Sequence, residues 1–254
     1  MSAAGYYGKI ISVIFMALQR IDKILSSQNI ASRSEIKDMI KAGRISADGK
    51  TVKRPEEKFD PEKAEFLIDG EKLTFRKYLY IMMNKPQGVL SASNDRHAQT
   101  VIDLLPPELY RKDLFPAGRL DKNTEGFILI TNDGELAHKM LSPKSHVYKL
   151  YEAEVDRALT SDDVRSFADG IKCGELEFLP AAMKITGEKR ALVEICEGKF
   201  HQVKKMFHAV GAEVTALKRF RIGGVFLDEN LAPGECRELT KNEINDIISL
   251  THGI

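Results

Sequence analysis

Apolar residues in this chain fall mostly into short alternating or continuous runs, with helical spacing at only a few places. Leu18, Ile21, Ile24 and Leu25 mark one face of a short helix. The run Ser32-Arg33-Ser34-Glu35 has the form of a capping box, opening a second helix with Ile36, Met39 and Ile40 on its inner face and Gly43 beyond its end. Residues 44–52 then alternate around Asp48-Gly49, which predicts a hairpin, and residues 64–68 form a further short strand. A small module of two helices backed by a sheet follows from this pattern, with a short linker over residues 71–77.

Beyond residue 78 the periodicity changes. Strands are predicted at 78–83, 127–131, 148–155, 191–195, 213–216 and 225–227, and helices at 135–141, 161–168, 201–210 and 243–249. Strands outnumber helices and do not alternate with them regularly, so the fold class is α+β and not a doubly wound sheet. The expected divisions are an extension at 1–15, the small module at 16–75, a larger body at 76–241 and a helical tail at 242–254.

The 254 residues are 43% hydrophobic and 30% charged, which permits one substantial core and a small extra module. The formal charge is only +1, so affinity for a polyanion has to come from local placement. Between Arg20 and Arg54 nine Lys/Arg face four Asp/Glu, and between Lys199 and Arg221 six face one, so each block carries +5. On the second helix and the strand after it, Arg33, Lys37, Lys41 and Arg44 lie away from the apolar face, where they suit successive phosphates or simply solvent. The three cysteines are too few and too scattered for a disulfide framework, and the six histidines form no ligand-spaced cluster. No metal or cofactor is expected, and the thiols fit a reducing cytoplasm. The apolar run 10–18 is too short to span a membrane and lacks a good cleavage site. Residues 1–15 are accordingly read as sequence ahead of a true start at Met16.

Two segments carry candidate chemistry. In Gly118-Arg119-Leu120-Asp121 a carboxylate sits between a turn and the apolar strand Phe127-Ile128-Leu129-Ile130, where it can be held rigidly against a substrate or merely cap its own turn. In Glu197-Gly198-Lys199-Phe200-His201-Gln202-Val203-Lys204, polar groups crowd a strand-to-helix junction while Val203, Met206 and Phe207 face the core. Tyr148 and Tyr151 lie in an alternating strand, where either a stacking or a packing role fits. No Walker sequence, dinucleotide fingerprint, zinc-protease pair or serine elbow is present.

Taken together, Gly118-Arg119-Leu120-Asp121 with Thr124-x-Gly126 and Thr131-Asn132-Asp133-Gly134, the junction segment, and Asn84-Lys85-Pro86-x-Gly88 closely resemble the small-subunit ribosomal RNA pseudouridine synthase family, the RsuA type, over residues 16 to about 241. The resemblance implies an RNA-binding module, shared with a small-subunit ribosomal protein, ahead of a catalytic domain on a mainly antiparallel mixed sheet with flanking helices. It makes Asp121 the catalytic aspartate, Tyr151 the tyrosine against the target ring, Lys204 the basic partner of the aspartate, and Arg119 the arginine beside the emptied base position. Arg33, Lys37, Lys41, Arg44, Lys199, His201 and Gln202 are then expected on the RNA. The implied activity is isomerisation of uridine to pseudouridine in small-subunit ribosomal RNA. Large-subunit RNA, or a non-catalytic assembly role, are the alternatives. The implied partner is ribosomal RNA or a precursor particle, with no membrane and a monomeric chain.

Overall fold

The computed structural model describes residues 18–249 and Gly253. The expected extension at 1–15 lies outside the described residues. The chain divides into two compact units, Met1–Lys77 and Tyr78–Ile254.

In the first unit, β1 (Gln19–Arg20) leads into α1 (Ile21–Ser27), followed by α2 (Arg33–Lys41), β2 (Ile45–Ala47), β3 (Lys50–Thr51), β4 (Lys58–Phe59), β5 (Phe66–Ile68) and β6 (Glu71–Leu73). Ser32 caps α2 as its sequence predicts, its hydroxyl accepting from the Glu35 amide while the Glu35 carboxylate accepts from the Ser32 amide. Ile21, Ile24, Leu25, Ile36, Ile40, Ile45 and Phe66 close a core between the helices and a four-stranded sheet in the order β3-β2-β5-β6. Leu18 departs from the expected helix face: it precedes the helix and is exposed. The expected linker is also shorter, because residues 71–73 pair back onto β5 across the Asp69-Gly70 turn.

The second unit begins with β7 (Tyr80–Lys85), β8 (Phe115–Pro116) and β9 (Glu125–Thr131), then α3 (Gly134–Leu141), β10 (Lys149–Val155), α4 (Ser161–Asp169), β11 (Ile171–Cys173), β12 (Leu176–Phe178), β13 (Ala182–Gly187) and β14 (Arg190–Ile195). It finishes with α5 (Gln202–Ala209), β15 (Val214–Ile222), β16 (Val225–Phe226), β17 (Cys236–Glu238) and α6 (Lys241–Asp246). Its main sheet runs β13-β14-β10-β15-β9-β7-β17, antiparallel except where β15 meets β9. Both faces are covered, and that explains the unbroken apolar strands. Successive residues alternate between two cores, Ile81, Met83, Ile128 and Ile130 joining Phe167, Met206 and Phe207, while Met82, Phe127 and Leu129 join Met140, Ile222 and Ile247. The stretch around 175–184, which reads as an insertion, instead supplies β12 and the edge strand β13, whose sparse alternation of buried Met183 with exposed neighbours hides it from a pattern search. Among the described residues no helix is long and apolar enough to cross a membrane, and no three His, Cys, Asp or Glu side chains gather as a metal site would require.

Candidate active site

A single row of partners crosses five strands of the main sheet. Lys85 on β7 faces Gly126 on β9, Gly126 faces Arg219 on β15, Arg219 faces Tyr151 on β10, and Tyr151 faces Val193 on β14. Gly126 has φ +101°, and a Cβ there would lie 2.3 Å from the Arg219 carbonyl oxygen, so only glycine allows the parallel β9–β15 approach. A register shift between Leu150 and Tyr151 breaks the β10–β15 ladder beside Arg219.

Beside Arg219 and Tyr151, in the middle of this row, opens a cleft of about 110 Å³ that is continuous with solvent. Asp121 stands in it on the turn that precedes β9. Lys204 Nζ is 2.9 Å from Asp121 Oδ2, and His201 Nε2 is 3.4 Å from Oδ1. Tyr151 and Arg119 line the same cleft, Tyr151 buried and Arg119 exposed. Residues separated by more than eighty positions in the sequence thus share one basin.

The geometry of α5 explains two of these contacts. Val203, Met206 and Phe207 bury one side of the helix, which leaves Lys204 on the flank toward the cleft. His201, at the helix start, adopts the left-handed region at φ 55°, unusual for a residue with a Cβ, and its ring stacks on Phe200 at 3.8 Å. Lys199 pairs with Glu197 at 3.0 Å and is exposed.

Gln202 departs from the expectation of an RNA contact. It is buried, its Oε1 accepts from the Lys199 amide at 3.0 Å, and its Nε2 donates to Glu197 Oε1 at 2.9 Å, so it ties the loop from inside. In the first unit, Arg33 and Lys37 are exposed and flank an open hollow with Arg20 and Lys23 around the Arg20–Asp22 pair. Lys41 meets Asp38 at 3.4 Å, whereas Arg44 is held by two bonds to Asp69 at 2.7 and 2.6 Å, because the strand-end turn at Asp69 lies beside it.

Several side chains at the site carry roles that the sequence does not announce. Lys85 is fully buried and donates to the carbonyls of Pro86 at 2.9 Å, Lys122 at 3.2 Å and Thr124 at 2.9 Å. Ser91 Oγ donates to the Leu120 carbonyl and accepts from the Leu120 amide, and the Gly88 amide donates to the Lys122 carbonyl. The segment 85–91 therefore grips the Asp121 turn on both sides. Burial pushes the Lys85 ammonium down to about 8, opposed by the charges of Asp121 and Glu125. Arg219 donates through Nη1 to the Tyr151 hydroxyl at 3.2 Å and through Nε to the Phe127 carbonyl at 2.8 Å, and Lys149 lines the cleft two residues before Tyr151. A buried lysine in Asn84-Lys85-Pro86 was the one available signal, since lysine inside a run of strand residues has to find acceptors.

Comparison with known proteins places these segments. Residues 79–209 match the RNA pseudouridylate synthase family and residues 19–63 match the S4 domain. An RNA pseudouridine synthase of Bacillus subtilis, YtzG, is 48% identical over 89% of this chain and 97% of its own. The ribosomal small subunit pseudouridine synthase A of Yersinia pestis is 39% identical over 90% of this chain and 97% of its own, and that of Escherichia coli 37% identical over 90% and 100%. A crystal structure of a pseudouridylate synthase, 33% identical, superposes with a TM-score of 0.64 over 90% of this chain and 99% of that one.

Proposed function

Since the chain belongs to the RNA pseudouridine synthases of the RsuA type, with an S4 domain ahead of its catalytic unit, we propose that Asp121 is its catalytic carboxylate and small-subunit ribosomal RNA its substrate. The observation that carries this reading is the meeting of Asp121, Lys204 and Tyr151 in one cleft from three distant segments. The likeness to small-subunit synthases over nearly their full length favours that RNA over the large-subunit one. The partner is ribosomal RNA or a small-subunit precursor particle, met by a monomer in the cytoplasm.

The chemistry asks for little beyond a fixed carboxylate. The N1–C1′ bond of uridine breaks, the detached ring turns, C5 joins C1′, and the C5 proton is lost as N1 gains one; the product is an isomer of the substrate. Asp121 assists either by attacking C1′ or by taking the proton from C2′, and Lys204 fixes where the carboxylate points. The target base has to leave its stack at a cost of roughly a few kcal/mol. Arg119, exposed on the rim, fills the vacancy, while Tyr151 holds the ring inside. Contacts from exposed Arg33 and Lys37 supply binding energy away from the chemistry.

Asp121→Ala should bind the RNA with affinity close to that of the parent chain and form no pseudouridine, as read by nucleoside chromatography of digested substrate. Pseudouridine formed by that variant would remove Asp121 from the mechanism. Mapping pseudouridine in ribosomal RNA from cells with and without the gene identifies the target. A missing site in large-subunit RNA, with small-subunit RNA unchanged, would overturn the substrate assignment.

A further inference from the structure

Two cations form the inner wall of the cleft without an anion to meet them. Lys149 and Arg219 are each 5% exposed and both line the basin that holds Asp121 and Tyr151. Among the described residues no carboxylate pairs with either. Among the described residues the Lys149 ammonium has one hydrogen bond, a long one of 3.4 Å to the Met140 carbonyl, and Arg219 Nη2 is buried without a hydrogen-bond partner. Burial, with Arg219 adding to it, pushes the Lys149 ammonium down to about 8, which leaves it charged near neutral pH. Leaving such groups unpaired costs several kcal/mol, and proteins retain them where a ligand completes the set.

The RNA backbone does not fit that place. Exposed Lys199 on the rim, in reach of solvent, is the better partner for a phosphate than two cations walled in at the back of the cleft. Inside, beside the tyrosine ring, the proposed reaction generates one anion of its own. When N1–C1′ breaks, the bonding pair stays with the ring, and the charge spreads over N1, O2 and O4. The electron-poor C1′ is satisfied by Asp121 or by loss of the C2′ proton to it.

We propose that Lys149 and the free edge of Arg219 form the pocket for the detached uracil, donating to its carbonyl oxygens and stabilising the ring as an anion until C5 joins C1′. Both groups then touch the reacting base and are catalytic residues. Both are donors only, so the pocket accepts the two carbonyls of uracil and rejects the exocyclic amino group of cytosine. The inference rests on the reading of Asp121 given above and adds the leaving-group half of the reaction.

Its test varies the leaving group. Ribosomal RNA is transcribed with uridine or with 5-fluorouridine, whose electron-withdrawing fluorine stabilises the departing ring anion and so reduces its need for help. Single-turnover loss of the N-glycoside is followed by chromatography and mass spectrometry, and RNA affinity by filter binding; the fluorinated ring has no C5 proton to lose, so its C5–C1′ product is read as the adduct that takes up water across C6–N1. Lys149→Met should slow the uridine reaction by about 100-fold, the usual effect of losing one preorganised donor, but the fluorouridine reaction by about tenfold or less. RNA affinity should stay within about twofold of the parent, and Lys149→Arg should restore most of the rate. Lys149→Gln, which keeps a neutral donor, serves as a second variant should the methionine disturb folding. Equal losses on the two RNAs, or an unchanged rate with weaker RNA binding, would overturn the uracil pocket. Asp121→Ala run in parallel separates the two readings: turnover by that variant sinks the assignment of Asp121, whereas an inactive Asp121→Ala beside equal losses at Lys149 sinks only the pocket.

Discussion

Lys85 has no carboxylate partner among the described residues; it spends its ammonium on three backbone carbonyls, two of them belonging to the turn that carries Asp121. Methionine at this position keeps the volume and removes every donor, leaving buried carbonyls short of partners at about 1–3 kcal/mol each. Removing the desolvated ammonium offsets part of that loss, so Lys85→Met is expected to lose about 2–4 kcal/mol of stability by urea titration, and to lower kcat at least tenfold with little change in RNA affinity. The pH dependence has a definite sign. Because the folded group titrates at about 8 and the unfolded one near 10.5, the unfolded chain binds more protons in between. The parent chain should accordingly gain stability relative to Lys85→Met as pH rises from about 8 to about 10.5, by roughly 3 kcal/mol, and hold no such gain below pH 8. Denaturation midpoints compared at matched pH check this.

Elements, not single residues, set the distances across the cleft. The parallel approach of β9 and β15 puts Arg219 between Gly126 and Tyr151, and it depends on a glycine whose missing Cβ leaves room for the facing backbone. In Gly126→Ala the added carbon meets backbone at 2.3 Å and the residue has to hold φ +101°. A loss of at least about 3 kcal/mol is expected, with the thermal midpoint falling and turnover dropping more steeply than RNA binding, since Arg219 and Tyr151 move with the strand. On α5 the apolar stripe fixes the direction of Lys204, and the left-handed His201 turns its ring toward Asp121. The sequence shows that stripe plainly; the backbone reversal at His201 has no firm marker in it, because histidine, though enriched among non-glycine residues at positive φ, adopts that region in only a small minority of cases.

For the whole molecule, two basic blocks compensate for a net charge near zero. The first lies in the S4 unit, where Arg33 and Lys37 are exposed while Arg44 is already engaged with Asp69. Glutamate at both Arg33 and Lys37 should raise KM for RNA, leave kcat at saturating RNA unchanged, and flatten the salt dependence of binding by about 1.5–2 in the log–log slope. Reversal of Arg44 should instead cost stability in the first unit along with any effect on binding, since its bidentate bond to Asp69 is lost. Filter binding across a salt series distinguishes the two kinds of arginine.

Local rules were enough for the capping box at Ser32, the apolar strand runs of β7 and β9 and the amphipathic α5, because each is written in the spacing of side chains a few residues apart. The segment around Asp121 was legible for the same reason, as a polar turn before an apolar strand. The edge strand β13, the partners of Lys85 and the unpaired cations at Lys149 and Arg219 were not. Each depends on which backbone or side chain arrives from a distant part of the chain. Spacing records which face a residue takes; only the closed sheet decides what that face meets, and so whether a buried charge finds an acceptor or waits for one from the substrate.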